Sequence, residues 1–288
     1  MTKPDVKGFF DEATNTISYV VWDRTTKQAA IIDSLLDFDQ ASGRTATHSA
    51  DRMIAFVKDT GLTVEWIIDT HVHADHLTAA PYIKSQLGGR TGIGEHISTV
   101  QKVFGEIFNA GQEFHTDGSQ FDHLFTDGET YKIGTIEARA IHTPGHTPAC
   151  MSHLIGGAVF VGDTIFMPDY GTARCDFPGG DAATLYDSIQ KLFALPGDTR
   201  VFLCHDYKAP GREHHVWETT IGEEKAHNTH IHEGVTKAQF VKMRTERDAT
   251  LDMPKLILPS VQVNMRAGEM PPAESNGMRY MKIPINAL

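Results

Sequence analysis

Three imidazoles and one carboxylate stand within the eight residues Thr70-His71-Val72-His73-Ala74-Asp75-His76-Leu77. Chance rarely packs ligand-type side chains this tightly, and imidazole together with carboxylate suits zinc, iron or manganese. The run before them, Val64-Glu65-Trp66-Ile67-Ile68-Asp69, is apolar and β-branched, as a buried strand should be. The run after them, residues 79–87, reads as a helix stopped by Gly88-Gly89. The spacing predicts a metal site on a strand-to-helix turn, at the carboxyl end of a strand, where open α/β sheets carry their sites.

The same rhythm returns three times. A hairpin over residues 129–141 delivers His142-Thr143-Pro144-Gly145-His146, a tight turn that sets a histidine at a strand end. Apolar residues 158–161 lead into Gly162-Asp163, and 201–204 lead into His205-Asp206-Tyr207. Each is weak alone, since apolar strands ending in Gly-Asp are common. Together they supply further imidazole and carboxylate to one edge.

The remaining chain reads as support. Residues 16–23 and 28–33 form a hairpin whose last residue, Asp33, is either a turn aspartate or a support for the metal stretch. Residues 36–48 read as a polar loop, 49–58 as a helix, 90–94 as a short strand, and 98–108 as a helix capped by Ser98. Asp181 caps a helix with Leu185, Ile189, Leu192 and Phe193 on one face, and Thr236-Lys237-Ala238-Gln239 resembles a capping box opening a helix to Asp248. His115, His123, His214, His215, His227, His230 and His232 lie in polar stretches and read as surface. The tail from Leu256 carries apolar residues through Ile283-Pro284-Ile285 and is expected to pack. The expected organisation is a single domain over 1–288, with a core over 1–210 and an extension over 211–288 packed on it.

A formal net charge of −11 with no basic stripe argues against nucleic acid as partner. Three widely spaced cysteines are no disulfide framework and fit a reducing compartment. No apolar run reaches the ~18 residues of a membrane span, and the first residues have neither signal-peptide nor transit-peptide character. The expectation is a cytoplasmic protein without a membrane or nucleic-acid partner.

His71-Val72-His73-Ala74-Asp75-His76, Pro144-Gly145-His146-Thr147, Gly162-Asp163 and Cys204-His205-Asp206-Tyr207 occur in the order of the metallo-β-lactamase superfamily. The resemblance implies an α/β fold of the αββα sandwich type, two mixed β-sheets flanked by helices with metal at one edge. Within that superfamily the chain resembles the persulfide dioxygenases, relatives of glyoxalase II. The cues are Ala74 in the metal stretch, Ala173-Arg174-Cys175-Asp176-Phe177 and the His205-Asp206-Tyr207 ending, while the tail residues Leu258-Pro259-Ser260, Asn264-Met265-Arg266 and Pro271-Pro272 resemble a bacterial branch of that family.

This resemblance implies one Fe(II) per chain on His71, His146 and Asp163, a two-His-one-carboxylate triad with open positions for O2 and sulfur. The substrate implied is glutathione persulfide, oxidised by O2 to sulfite and glutathione. His73, Asp75, His76 and His205 then orient the ligands or, in a glyoxalase II-like thioester hydrolase, hold part of a pair of Zn(II) ions. Arg174, Asp176 and Tyr207 are the implied catalytic residues. Arg174, Arg212 and Arg266 are candidates for glutathione carboxylates, with an ion pair to Asp176 as the competing arrangement for Arg174. The loop between Asp163 and Arg174 is longer than in better-known members, and 208–212 departs from the family pattern. Family members commonly pair as homodimers or homotetramers. A metal store or sensor without catalysis is the rival from another class.

Overall fold

The computed structural model describes residues 3–287. A six-stranded sheet is built from β1 (Asp5–Asp11), β2 (Thr16–Trp22) and β3 (Gln28–Ile32), joined by β6 (Thr63–Ile68), β8 (Arg90–Gly94) and β9 (His123–Phe125). The β1–β2–β3 meander is antiparallel, and β6, β8 and β9 continue it in parallel. Parallel strands need crossovers, and the helices α1 (His48–Asp59), α2 (Ala80–Leu87) and α3 (Ile97–Ile107) provide them. Between β3 and α1 lies a hairpin, β4 (Leu35–Asp39) and β5 (Arg44–Ala46), which pairs with the short β7 (Leu77–Thr78).

The second sheet runs in chain order: β10 (Thr130–Ile133), β11 (Ile136–His142), β12 (Met151–Ile155), β13 (Ala158–Phe160), β14 (Arg200–Phe202) and β15 (Glu218–Thr220). Helix α4 (Ala182–Phe193) makes its one parallel crossover, from β13 to β14. Helices α5 (Ile221–His227), α6 (Lys237–Asp248) and α7 (Ile257–Asn264) complete the chain. Among the described residues no helix is long and apolar enough to cross a membrane.

The sheets face each other. Ile17, Tyr19, Val21, Ala30, Ile32, Trp66 and Ile68 meet Ile133, Ala138, Ala140, Ile155, Phe160 and Phe202 in one buried cluster. Alternate residues of the same strands point outward: Val20, Ala29, Ile31 and Ile67 pack under α1 and α2 through Met53, Ile54, Val57 and Ile83. Val159, Val161, Val201 and Leu203 likewise pack under α4 and α6. Strands buried on both faces read as continuous apolar runs, which is why β2, β3 and β6 are legible in the sequence. The result is an αββα sandwich.

Three expectations fail. Residues 36–48 are not a loop; Asp39 accepts from the Ala41 amide and the Ser42 hydroxyl, closing a hairpin whose strands alternate too briefly to stand out. Ser98 does not cap α3: His96 holds the cap position, and the Ser98 hydroxyl turns back to the Glu95 carbonyl. In the tail, Ile283 and Ile285 are 68% and 78% exposed, and the buried apolar residues are instead Ile257, Val261 and Met265 around α7. Pro259 sits in the first turn of α7, where a missing N–H costs no intrahelical bond, so it does not break the helix.

Candidate metal centre

All four strand-end segments converge at one edge of the sandwich. The loop after β6 carries His71, His73, Asp75 and His76; the turn after β11 carries His146; Asp163 follows β13 and His205 follows β14. Two glycines make the convergence possible. Gly145 has φ +135°, and a Cβ there would strike the backbone of Leu185 in α4. Gly162 has φ +51°, and a Cβ would meet the Thr70 hydroxyl at 2.5 Å.

Each of five imidazoles has one ring nitrogen tied to an acceptor behind it. His71 Nδ1 lies 3.1 Å from the Thr70 hydroxyl, which in turn donates to Asp33. His73 Nε2 lies 3.0 Å from Asp33 Oδ1, His76 Nδ1 3.0 Å from Asp75 Oδ2, and His146 Nδ1 2.8 Å from the Arg174 carbonyl. His205 Nδ1 lies 3.3 Å from the Asn15 carbonyl. These contacts place the ring proton outward and leave the other nitrogen's lone pair facing in. Of those inward nitrogens, His71 Nε2, His73 Nδ1, His76 Nε2 and His205 Nε2 are buried with no hydrogen-bond partner among the described residues, as is Asp163 Oδ1.

Buried polar atoms without partners are rare and call for an explanation. A cation supplies one. His71, His146 and Asp163 each offer an atom within 4.8 Å of the others, and so do His73, Asp75 and His76. Asp163 Oδ2 lies 3.6 Å from His146 Nε2 and 3.9 Å from His71 Nε2, too long for hydrogen bonds and suited to a shared ion; its Oδ1 lies 3.3 Å from His205 Nε2. Burial holds His71 and His73 well below the usual imidazole range, so both offer free lone pairs. Burial opposes the charged form of Asp75, but His205 and His76 outweigh it and hold the carboxyl well below its ordinary range. The donor set fits a metal.

The edge opens on a cavity of about 1070 Å³ lined by Asp75, His76, His146 and Asp163 at its base. Phe166, Tyr170 and Tyr207 form one wall, with Tyr207 stacked on the His205 ring at 5.4 Å. Of the three arginines expected to bind substrate, Arg174 and Arg212 are paired with carboxylates, while Arg266 makes no ion pair among the described residues and its buried Nε has no partner there. Arg174 borders the cavity, but its guanidinium makes two 2.6 Å bonds to Asp176 and one to the Asp252 carbonyl. Its backbone carbonyl, which orients His146, is its contact with the site. Asp176 is correspondingly the partner of Arg174. Arg212 is spent on Asp206 and Asp169, and Arg266 lies over the Phe114 ring at 4.3 Å; neither borders the cavity.

Other residues border it instead. Arg247 and Lys255, from α6 and the segment after it, line the cavity exposed and make no ion pair among the described residues. His230 is half-buried rather than solvated, and its Nδ1 accepts from the Thr172 amide at 3.0 Å. Nothing local marks these positions; tertiary contacts bring them here, α6 packing on α4 and His230 bonding to the Thr172 amide.

An αββα sandwich with imidazoles and carboxylates gathered at one sheet edge defines a metal-dependent protein. The sequence matches the metallo-beta-lactamase superfamily over residues 13–205, and the chain belongs to that superfamily. It is 57% identical to a probable metallo-hydrolase of Burkholderia pseudomallei (strain 1710b), over 98% of this chain and 99% of that protein. It is 52% identical to Glyoxylase B2 of Dictyostelium discoideum, over 99% and 98% respectively. Identity to the human mitochondrial persulfide dioxygenase ETHE1 is 28%, over 93% of this chain and 90% of that one. The crystal structure of ETHE1 from Myxococcus xanthus superposes with a TM-score of 0.73 at 30% identity, covering 92% of this chain and 100% of that one.

Proposed function

We propose that the chain is a mononuclear iron persulfide dioxygenase, which oxidises glutathione persulfide with O2 and water to sulfite and glutathione. The observation that carries this reading is the triad of His71, His146 and Asp163, two imidazoles and one carboxylate from three separate strand ends beside a large open cavity. That set suits ferrous iron. Asp75, which a second ion would need, already accepts from the Thr16 hydroxyl and lies in contact with His76 Nδ1, each at 3.0 Å. The likeness to ETHE1 supports the reading because it runs past residue 205 into the segment that walls the cavity.

If bound, a ferrous ion would supply open positions for O2 and the terminal sulfur of the persulfide. The chain's own side chains do the rest. The Arg174 carbonyl and Thr70 hydroxyl fix the tautomers of His146 and His71. Arg247 and Lys255 offer two cations to the carboxylates of a glutathione moiety. Phe166, Tyr170 and Tyr207 offer an aromatic wall beside the centre for the sulfur end of the substrate.

A second reading, a dinuclear zinc thioester hydrolase of the glyoxalase II kind, is favoured by one feature. The two oxygens of Asp163 face different neighbours, Oδ2 toward His71 and His146 and Oδ1 toward His205, as a carboxylate bridging two ions would. The names of two relatives point the same way. Metal analysis of anaerobically purified protein separates the two. One iron per chain, with O2 uptake on adding glutathione persulfide, is expected; two zinc per chain with S-lactoylglutathione hydrolysis and no O2 uptake overturns it.

A further inference from the structure

The loop that carries His71, His73, Asp75 and His76 has no regular secondary structure, so its own backbone does little to hold it. A residue nearly 190 positions away does. Asn264, at the end of α7, donates through Nδ2 to the carbonyls of both His73 and His76, each at 2.8 Å. Its Oδ1 accepts from the Thr78 amide at 2.8 Å. Among the described residues no other donor reaches those two carbonyls. Asn264 is 3% exposed and buried between α7 and β7.

Helix α7 is itself seated firmly. Ile257, Val261 and Met265 share a buried cluster with Val72 and Ala74 of the metal loop. Gln101 of α3 donates to the Met265 carbonyl at 2.9 Å, and Gly268 packs so closely on Pro81 that a Cβ would lie 2.5 Å from it. A side-chain amide that satisfies two carbonyls and one amide of a loop fixes that loop's backbone, and with it the direction of the side chains it carries.

We propose that Asn264 is a positioning residue for the metal centre: by pinning the backbone at His73 and His76 it fixes the loop that also carries His71, so metal affinity depends on this side-chain amide. This rests on the metal reading of the site. Backbone supports of ligands act through affinity, by roughly 10–100-fold when removed.

The probe is Co(II) titrated into chelator-stripped, full-length protein and followed by its d–d absorption, which needs no turnover. Asn264→Ala is expected to bind Co(II) roughly tenfold or more weakly with an altered band shape, and Asn264→Ser, which keeps one donor, to fall between. Val261→Ala loosens the same helix without touching the amide, so it is expected to lower Tm while binding Co(II) within about twofold of wild type. Wild-type affinity in Asn264→Ala, or an equal loss in Val261→Ala, overturns the proposal. A wild-type protein that binds no Co(II) sinks the metal reading itself. Should Asn264→Ala not fold, Asn264→Ser against Val261→Ala decides the matter in the same way.

Discussion

His73 Nε2 and Asp33 Oδ1 lie 3.0 Å apart, both buried, although 40 residues separate them in the chain. The same carboxylate accepts from the Thr70 amide at 2.7 Å and the Thr70 hydroxyl at 3.0 Å, and that hydroxyl supports His71. One aspartate therefore sets the orientation of two imidazoles. It does so from a left-handed backbone, φ +52°, which Asp tolerates better than bulkier residues. Asp33→Ala is expected to weaken metal binding by roughly 10–100-fold, because His73 loses its partner and the Thr70 hydroxyl that supports His71 loses its acceptor. Chelator competition on the purified variant measures this; unchanged affinity would show that the rings need no such support.

Arg247 and Arg174 should separate in kinetics. If Arg247 and Lys255 meet substrate carboxylates, replacing both with Ala is expected to raise KM for glutathione persulfide by roughly tenfold, with kcat within about twofold, the pattern of lost uniform binding. The effect should shrink as salt is raised, since both cations are exposed. Arg174→Ala instead frees Asp176 and the loop whose carbonyl holds His146, so it is expected to lower kcat and metal retention more than it raises KM. Steady-state kinetics with iron counted per chain tests the split, and the reverse pattern would return Arg174 to the substrate.

The contrast between those arginines measures how far the sequence could be read. The metal stretch was legible because its residue types are unusual and its spacing tight, and the strands were legible because burial on both faces makes them continuously apolar. Arg174 was visible as a cation near the site, but whether its guanidinium is free depends on Asp176 and the Asp252 carbonyl, the latter 78 residues away. Nothing in the sequence singles out Arg247 among the charges of α6; it borders the cavity only through tertiary packing. His230 read as solvated in its polar stretch, yet the Thr172 amide, 58 residues earlier, draws it in. Asn264 stood in a recognised tail motif, but a side-chain amide bonded to distant carbonyls leaves no trace in periodicity.

Away from the centre, Glu224 should make stability depend on pH. Burial pushes its carboxyl from 4.5 up to about 8, with the Asn228 amide working in the opposite direction, and its Oε1 has no partner among the described residues. Between those values the unfolded chain has released the proton and the folded chain keeps it, so stability falls as pH rises through this window. Glu224→Gln, which resembles the protonated acid, is expected to match wild type near pH 4.5 and to exceed it increasingly toward pH 8. On the acid side the sign reverses. Burial holds His153 and His230 down at about 4, so protonation of the unfolded chain below 6.5 costs the fold stability. Thermal melts of both proteins across this range test the assignment, and parallel curves would contradict it.

Removing metal should loosen this edge of the sandwich, because strand ends from both sheets bring their inward imidazoles and carboxylates together there. Without a cation, the inward nitrogens of His71, His73, His76 and His205 and one oxygen of Asp163 face one another desolvated. A ligand that binds only the folded chain stabilises it by about 2.7 kcal/mol at a free concentration one hundred times its Kd. For a chain of this size that corresponds to a rise of several degrees in Tm, at roughly 2–4 °C per kcal/mol. Dialysis against EDTA is therefore expected to lower Tm by about 5–10 °C, and graded re-addition of metal to raise it in proportion to the logarithm of free metal. The loss should be largest for the wild type and much smaller in His146→Ala, which has already lost one arm of the triad. An identical melt before and after chelation would mean that these lone pairs are satisfied without an ion.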